Sequence, residues 1–574
     1  MYKFGALVTG LFFLFITTGA QVVTARPLSQ RLTGYSIRAE LDPVSKKINA
    51  SMESYWINNS ENPVPFIRMH MYLNAFRSNK STLNKEFGQS QGSSEMDYGW
   101  INLKTATSGN GIDLSGRIKY ISPDDGNPDD MTVLEIALPE PVMPGDTFFF
   151  HGEFTSKLPS RIMRTGFSDD FFFVAQWFPK FGVFETTGMR YAITDGWNCH
   201  QFHSTSEFYS NHSVYDVTLV VPENYVVGTG GKTLSEKPLG DGRKEIVTRA
   251  EDIVDYAWTA WPGYSVFRDK WKNVDITLLI PADRTNQAGR QMSAVKNALE
   301  YLDSRVGAYP WSHLTFVDPP AKGNGAGGME YTTLFTSQSF RGVPWYIHMP
   351  EMVTVHEFGH AYFMGILASN EFEEPWLDEG VNSFWEIRIM DHYWKNGGMI
   401  EHPSFIMTDL TSARAGYVQA PGKQATTNAE YSWNYPHGTY GMMSYKKTAL
   451  WLYTLMGIIG EDTMDEVFRE YYRQWAFKYP SGRDFINVVN TTVTRMHGEK
   501  FGKDLNWFFD QTTFGTGICD YKVSGIRVNK VTGYEGISTR GIQYYLKKIQ
   551  TGATVCTHLQ LNSKELERLC CLSR

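Results

Sequence analysis

The sequence predicts an α+β multidomain protein, because strand signals fill its first half and helical signals fill most of its second half. The chain has 574 residues, of which 42% are hydrophobic and 14% aromatic, enough to fill several folded cores. From residue 32 to residue 256, short β-like runs alternate with Gly, Pro, Asn and Asp. Beyond residue 280, apolar residues recur at helical spacing. We therefore expect a β-rich domain followed by a mostly helical one.

The N-terminal β-rich domain is predicted for residues 26–268. Runs such as 35–41, 148–154 and 214–221 have the length and the aromatic and β-branched content of strands. Many short strands separated by turn residues indicate a saddle-shaped sheet or a sandwich. No sequence pattern in this region predicts a catalytic or binding site by itself.

One cluster in the β-rich region has residue types that also bind metals. Cys199 and His200 are adjacent, and His203 follows. Flanking aromatic residues, among them Trp197 and Phe202, favour a packed aromatic patch over a second metal site.

Residues 269–515 are predicted to form the mostly helical domain, entered through a buried strand. Gly457 and Gly460 are expected to separate two helices there. The predicted elements are strands at 274–280 and 314–317 and helices at 291–306, 444–475 (two helices), 484–493 and 505–509.

The last segment, residues 516–574, returns to strand character at 521–523 and 526–528, which predicts a short C-terminal β segment. A short helix or frayed tail is expected at 562–574. Three of the five cysteines, Cys556, Cys570 and Cys571, lie in this segment. That clustering fits an exported fold poorly, so we expect a truncated or altered C-terminus.

The first 25 residues have the features of a secretory signal peptide. Lys3 precedes an apolar run from Phe4 to Ile16, and small residues follow it. The predicted location is therefore secreted or periplasmic. In the alternative, residues 4–25 stay uncleaved and anchor the protein in a membrane, since their length is about that of a membrane span.

Charge and cysteine content argue against a nucleic-acid-binding protein and against a disulfide-rich one. The net charge of −7 and the isoelectric point near 6.1 disfavour nucleic acid as the main partner, because such a partner requires a basic surface. Five cysteines, an odd number, do not form a disulfide framework.

The strongest chemical signal is an H-E-x-x-H motif formed by His356, Glu357 and His360. Histidines four residues apart share one face of a helix, so both imidazoles can reach one metal ion. Glu357 can face a metal-activated water without occupying a coordination position. A catalytic zinc needs a third protein ligand and one open position. Glu379, which lies in a W-L-D-E-G segment and is separated from His360 by residues 361–378, is the candidate.

Two helices are predicted to carry these residues. The first begins after Pro350, a residue favoured in a first helical turn, and runs to about Leu367. The second begins near Trp376 and carries Glu379 and Glu386 inward, because seven residues are close to two helical turns.

Three motifs in this order resemble the gluzincin zinc aminopeptidases, the family of aminopeptidase N and leukotriene hydrolase. The similarity extends loosely from the β-rich region to about residue 510. The motifs are the H-E-x-x-H pair with Glu379, the run Gly327-Gly328-Met329-Glu330-Tyr331 that resembles G-x-M-E-N, and Tyr445-Lys446-Lys447 that resembles Y-x-K-G. The resemblance implies a thermolysin-like catalytic domain at residues 269–515.

The resemblance also implies a set of roles. One Zn²⁺ per chain would be held by His356, His360 and Glu379, with Glu357 as general base. The oxyanion would be stabilised by zinc and by the Tyr445 hydroxyl. The substrate-binding residues would be Gly327, Gly328, Met329 and Glu330, with Glu330 binding the free α-amine and the glycines allowing close approach of an extended peptide.

Two of these assignments have alternatives within the sequence. Tyr435 and Tyr440 lie close to Tyr445 and compete for its role. Glu386 matches a family glutamate that hydrogen-bonds a zinc-bound histidine, and its alternative is an ordinary acid on a helix surface.

The sequence departs from the family pattern at three points. Tyr331 replaces the asparagine of the exopeptidase motif, and Thr448 replaces the glycine that follows the lysine of the tyrosine motif. The second residue that binds the substrate amine has only Gln176 as a candidate.

The predicted function is that of an exported zinc metallo-aminopeptidase that acts on peptides with neutral or hydrophobic N-terminal residues. The alternatives are a thermolysin-like endopeptidase and a non-catalytic peptide-binding or scaffold protein on the same fold. Peptides are the expected partners, and no stable membrane insertion is expected unless the N-terminal segment stays uncleaved.

Overall fold

The computed structural model describes residues 26–88, 97–205, 207–394, 398–436 and 438–517, together with the backbone of 521–527 and 543–548. The signal peptide and the alternative anchor predicted within residues 1–25 lie outside the described residues. The predicted tail at 562–574 and Cys556, Cys570 and Cys571 lie outside them too. Within the described ranges, no helix combines the length and the apolar character that crossing a membrane requires.

Strands dominate the first half of the described chain, as the sequence predicts. The short helix α1 (Thr82–Glu86) lies between the third and fourth strands. The strands are β1 (Thr33–Asp42), β2 (Lys47–Ile57), β3 (Val64–His70), β4 (Trp100–Ser108), β5 (Ile118–Ile121), β6 (Val133–Val142), β7 (Thr147–Lys157), β8 (Gly166–Ser168), β9 (Phe171–Val174), β10 (Lys180–Phe181), β11 (Val183–Glu185), β12 (Gly196–Asn198), β13 (Ser213–Pro222), β14 (Val226–Thr229), β15 (Lys232–Pro238), β16 (Arg243–Ile253) and β17 (Trp258–Trp261).

These strands form one large sheet and several smaller ones. The large sheet has the order β15-β16-β13-β1-β2-β7-β4. Strand β1 is parallel to β13 and antiparallel to β2. Two four-stranded sheets have the orders β10-β3-β6-β5 and β14-β17-β9-β8. Along β1, Tyr35, Ile37 and Ala39 are buried, whereas Arg38 and Glu40 are exposed. This alternation shows that the large sheet covers the core with one face.

The second half combines a mixed sheet with helices. The five-stranded sheet has the order β18-β19-β20-β22-β21, and its members are β18 (Tyr264–Trp271), β19 (Val274–Pro281), β20 (His313–Val317), β21 (Met329–Tyr331) and β22 (Leu334–Thr336). The helices are α2 (Ala288–Arg305), α3 (Met349–His360), α4 (Glu379–Tyr393), α5 (Asp409–Gln419), α6 (Thr448–Ile459), α7 (Glu461–Trp475), α8 (Gly482–His497) and α9 (Asn506–Thr512). Two further antiparallel pairs are formed by β23 (Ile400–His402) with β24 (Phe405–Met407) and by β25 (Tyr521–Arg527) with β26 (Gln543–Lys548).

The α+β prediction is confirmed, and the two halves share one core. Buried apolar residues from both halves form a continuous cluster. The indole of Trp311 donates to the backbone oxygen of Glu251 at 3.0 Å, which also joins the halves. Strand β18 pairs with β19 and contains the predicted boundary at 268/269, so the first residues of the five-stranded sheet precede that boundary.

The motif helix is shorter than predicted. α3 ends at His360, and a π-helical segment, Ala361–Ile366, continues the chain where one α-helix to Leu367 is predicted. The backbone oxygen of Ile366 accepts a hydrogen bond from the Phe477 amide. A tertiary partner thus satisfies one of the carbonyls that the end of a helix leaves without an intrahelical partner.

Other element boundaries also differ from the sequence predictions. α4 begins at Glu379, after a 3₁₀ turn at Pro375–Leu377, and not near Trp376. Gly460, with φ of +91°, separates α6 from α7, whereas Gly457 lies inside α6. α5 is not predicted, because it buries only Asp409 and Ala413 and therefore lacks an apolar stripe.

Candidate active site

Close helix packing brings the motif residues together. A Cβ atom at Gly359 would collide with the Asn382 side chain, so only glycine lets α3 approach α4 this closely. Asn382 donates a hydrogen bond to the backbone oxygen of His356 at 2.7 Å. Gly380 likewise allows close approach by the π-helical segment Met442–Lys447. That segment carries Tyr445.

The three predicted metal ligands converge on one point. Oε2 of Glu379 lies 3.5 Å from Nε2 of His356 and 3.4 Å from Nε2 of His360. This oxygen is buried and has no hydrogen-bond partner among the described residues. A buried carboxylate oxygen beside two imidazole nitrogens is the donor set of a catalytic zinc site. The residues therefore fit the metal.

The opposite ring nitrogens of the two histidines are held by carboxylates. Glu386 Oε2 lies 2.9 Å from Nδ1 of His356, and Asp378 Oδ2 lies 2.6 Å from Nδ1 of His360. Both contacts leave the Nε2 atoms turned toward Glu379. Such partners fix the tautomer and orientation of a ligating histidine. Asp378 is not among the sequence-predicted residues, although its position next to Glu379 in W-L-D-E-G could have indicated it.

The carboxylates around this site favour the binding of a positive charge there. Burial opposes the charged form of His356, but the neighbouring carboxylates of Glu379 and Glu386 outweigh it and raise the pKa of His356 to about 10. Burial raises the pKa of Glu357 to about 7, against the opposing effect of both histidines. A carboxyl group with a pKa near neutrality can both accept and release a proton.

Glu330 lies beside the motif helix although it belongs to strand β21. One oxygen of Glu330, one of Glu357 and a ring nitrogen of His360 all lie within 4.8 Å of one another. Burial raises the pKa of Glu330 well above its ordinary value. Gly328 has a φ of +70°, a conformation that suits glycine, and the position of its missing Cβ lies 3.6 Å from Oε1 of Glu357. The predicted exopeptidase motif thus borders the predicted metal site.

Tyr331, the departure from the exopeptidase motif, does not face the metal site. Its hydroxyl donates to the backbone oxygen of Arg164 at 3.0 Å, and its ring contacts Phe173 at 5.5 Å between centroids. The Arg164 guanidinium is paired with Glu207, and Nε and Oε2 are 2.7 Å apart. Tyr331 therefore fixes the loop that holds this ion pair.

The three candidate tyrosines have different environments. The Tyr445 hydroxyl donates to Oε1 of Glu379, and its ring is stacked on His356 with centroids 5.9 Å apart. The Tyr435 hydroxyl donates to the backbone oxygen of Asn428 at 3.0 Å. Tyr440 packs edge-on against Tyr445 at 6.1 Å. Among the three, Tyr445 is the one that contacts the ligand set.

In Gln176, the candidate second amine-binding residue, both polar atoms of the side-chain amide are hydrogen-bonded. Its nitrogen donates to Asp255, and its oxygen accepts from Lys180 Nζ at 2.9 Å. It lines a cavity of about 20 Å³ that Glu207 and Glu330 also line. The sequence offers no signal for Glu207, because the segments that it contacts are distant in the chain.

The Cys199, His200 and His203 cluster is saturated with hydrogen bonds. Nδ1 and Nε2 of His200 face Asp124 and Glu373 at 2.7 and 3.2 Å. Those of His203 face Glu86 and Asp124 at 2.6 and 3.0 Å. Each ring nitrogen already faces a carboxylate, so the two histidines join segments of the chain and have no ring nitrogen left for a metal.

Comparison with known proteins gives the family of the catalytic region. Residues 290–512 match the family model described as the peptidase family M1 domain. The crystal structure of a point mutant of an M1 zinc metallopeptidase from Deinococcus radiodurans has the same fold, with a TM-score of 0.55 and 13% sequence identity, and the match covers 84% of this chain and 96% of that chain. Residues 290–512 thus match a peptidase family M1 domain, and this match supports the resemblance to the gluzincin zinc aminopeptidases.

Proposed function

We propose that the protein is an exported zinc aminopeptidase that removes neutral or hydrophobic N-terminal residues from peptides. The observation that carries the proposal is the position of Glu330, whose carboxylate lies within 4.8 Å of the general-base candidate Glu357 and of His360. A free amine held at Glu330 would set the first peptide bond, and no later one, beside the reacting groups.

The metal site would be formed by His356, His360 and Glu379. Zinc bound there acts as a Lewis acid and lowers the pKa of water toward 7. The chain's own contribution is orientation, because Glu386 and Asp378 hold the rings through their Nδ1 atoms.

Glu357 would act as the general base. It would take a proton from the attacking water and deliver it to the departing amine nitrogen. Its burial, which raises its pKa to about 7, suits both steps, since efficient proton transfer requires a pKa near the working pH.

Tyr445 would stabilise the carbonyl oxygen as that oxygen gains negative charge. Its hydroxyl already lies beside the ligand set, through the hydrogen bond to Glu379. A preorganised donor of this kind stabilises the transition state without reorganisation.

Glu330 would bind the α-ammonium group of the substrate. The site is rich in buried carboxylates, and Glu207, Glu357 and Glu379 each raise the pKa of Glu330 further by charge repulsion. An ammonium group would relieve that repulsion. A neutral, acetylated amine would not, and this difference is the basis of exopeptidase selectivity.

The proposal is tested with matched substrates. Purified protein should hydrolyse aminoacyl-anilides and free-amine peptides and should leave N-acetylated peptides intact. Equal cleavage of blocked peptides would favour the thermolysin-like endopeptidase. Stoichiometric zinc without hydrolysis of either substrate would favour the peptide-binding scaffold.

The proposed export has a separate test. The N-terminal sequence of the protein recovered from the medium or periplasm should begin close to residue 26. Recovery of uncleaved protein in the membrane fraction would instead support an anchor at residues 4–25.

A further inference from the structure

Glu371 is a completely buried acid that none of the roles above uses. It lies in the loop between the π-helical segment after α3 and the 3₁₀ turn before α4, and its exposure is 0%. Neither carboxylate oxygen has a hydrogen-bond partner among the described residues. A buried carboxylate without a partner costs several kcal/mol. The group therefore requires a proton or a cation.

The neighbours of Glu371 belong to the active site. One oxygen each of Glu371, Asp378 and Glu330 lie within 4.8 Å of one another. Asp378 is also completely buried, and its Oδ2 faces Nδ1 of His360 at 2.6 Å. Its Oδ1 has no partner within the described chain. Unpartnered oxygens of two acids thus occur in one pocket.

A tight turn fixes the position of Glu371. The Asn370 side-chain oxygen accepts from the Phe372 amide at 3.0 Å, and the Asn370 backbone oxygen accepts from the Glu374 amide at 2.8 Å. The Asn370 amide in turn donates to the Asn198 side chain at 3.2 Å. The loop is therefore anchored to the β-rich half of the molecule, and Glu371 has little freedom to leave the pocket.

Two ionised carboxylates offer only acceptor atoms, so they cannot satisfy each other. One proton converts them into a donor and an acceptor. We infer that Glu371 is a positioning residue for the metal centre, which donates a hydrogen bond from its protonated carboxyl group to Oδ1 of Asp378. Asp378 then holds His360 through its other oxygen.

The electrostatics of the pocket agree with this arrangement. Burial, followed by the negative charge of Asp378, raises the pKa of Glu371 well above its ordinary value. The consequence is a chain of contacts, Glu371 to Asp378 to His360, that fixes the side-chain orientation of Asp378. With Asp378 fixed, Nε2 of His360 stays turned toward Glu379.

The inference rests on the proposed metal site but not on aminopeptidase activity, so its test uses no substrate. Zinc is removed from the full-length protein, and the dissociation constant of added Zn²⁺ is measured by competition with a chromogenic chelator. The variants are Glu371→Gln, which keeps a donor, and Glu371→Leu, which removes it. Glu374→Gln, in the same loop, is the control for loss of a buried carboxyl group.

Glu371→Leu should weaken zinc binding by about 10-fold to 100-fold, as expected for a partner of a ligating histidine. Glu371→Gln and Glu374→Gln should bind zinc like the wild type. The infrared spectrum of Glu371→Gln should lack one carboxylic-acid carbonyl band that the wild-type spectrum contains. This second measurement remains decisive if Glu371→Leu fails to fold.

Three results would overturn the inference. Glu371→Gln and Glu371→Leu would lose zinc affinity equally, or the infrared band would persist in Glu371→Gln. A second Zn²⁺ bound by the wild type and lost in Glu371→Gln would show that the pocket holds a metal ion and not a shared proton.

Discussion

The Tyr445 hydroxyl donates a hydrogen bond to Glu379, although 66 positions separate the two residues in the sequence. Glu379 begins α4, whereas Tyr445 lies in the π-helical segment before α6. Gly380 makes the contact possible, because a larger residue there would collide with Thr448 and with the backbone of Ser444. A candidate metal ligand and a candidate oxyanion donor are therefore joined by a direct hydrogen bond.

Replacing Tyr445 by phenylalanine should lower kcat by about 10²–10³, with little change in KM. The lost hydroxyl is expected to act on the transition state and not on the bound substrate. Steady-state kinetics and zinc analysis check this result. Tyr435→Phe is the control, since that hydroxyl binds Asn428. A change in KM alone would contradict the proposed role of Tyr445.

Glu357→Gln should abolish most activity while the protein keeps its zinc. Loss of a general base lowers the rate by about 10²–10⁴, and Glu357 is not one of the three proposed ligands. Turnover and metal content are measured on the same sample. Glu351→Gln removes an acid from the same helix that instead pairs with Arg290, so it should stay active. Wild-type turnover by Glu357→Gln would refute the proposed mechanism.

Glu330→Gln should weaken selection of the free amine without loss of zinc. A hydrogen bond to a charged group contributes about 1.5–3 kcal/mol, so kcat/KM for a free-amine substrate should fall by about 10-fold to 100-fold. The ratio of rates for free-amine and N-acetylated peptides is the measurement. An unchanged ratio would mean that another group binds the amine.

His200 should make the stability of the protein depend on pH. Burial opposes its charged form, but hydrogen bonds with Asp124 and Glu373 prevail and raise its pKa to about 9. Because the folded state binds the proton more tightly than the unfolded state, this contribution is complete below about pH 6.5. It should be lost as the pH rises toward 9, with an upper limit of about 3 kcal/mol.

The test compares the free energy of unfolding of wild type and His200→Gln at pH 6, 8 and 10. The difference between the two proteins should shrink as the pH rises. A constant difference for His200→Gln would exclude a charged His200 in the folded protein.

Local sequence pattern was sufficient to place the candidate residues of the motif helix on one face. The spacing of His356 and His360 defines one helical face, because an α-helix returns to the same side about every four residues. Glu379 and Glu386 follow from the same periodicity on the next helix. Strand alternation in the first half and helical spacing in the second likewise indicated the α+β class, since both depend on neighbours in sequence.

The contacts between distant segments depended on the tertiary structure. No sequence pattern relates Glu371 to His360, and Asp378 is indicated only by its position next to Glu379. Glu207 lies far in sequence from the loop of Arg164 and from Glu330. Only packing of α3 against α4 and against β21 brings these residues together. The sequence determined which side chains share a helix face, and tertiary structure decided which buried acids face one another, because burial and hydrogen-bond partners are properties of the packed molecule.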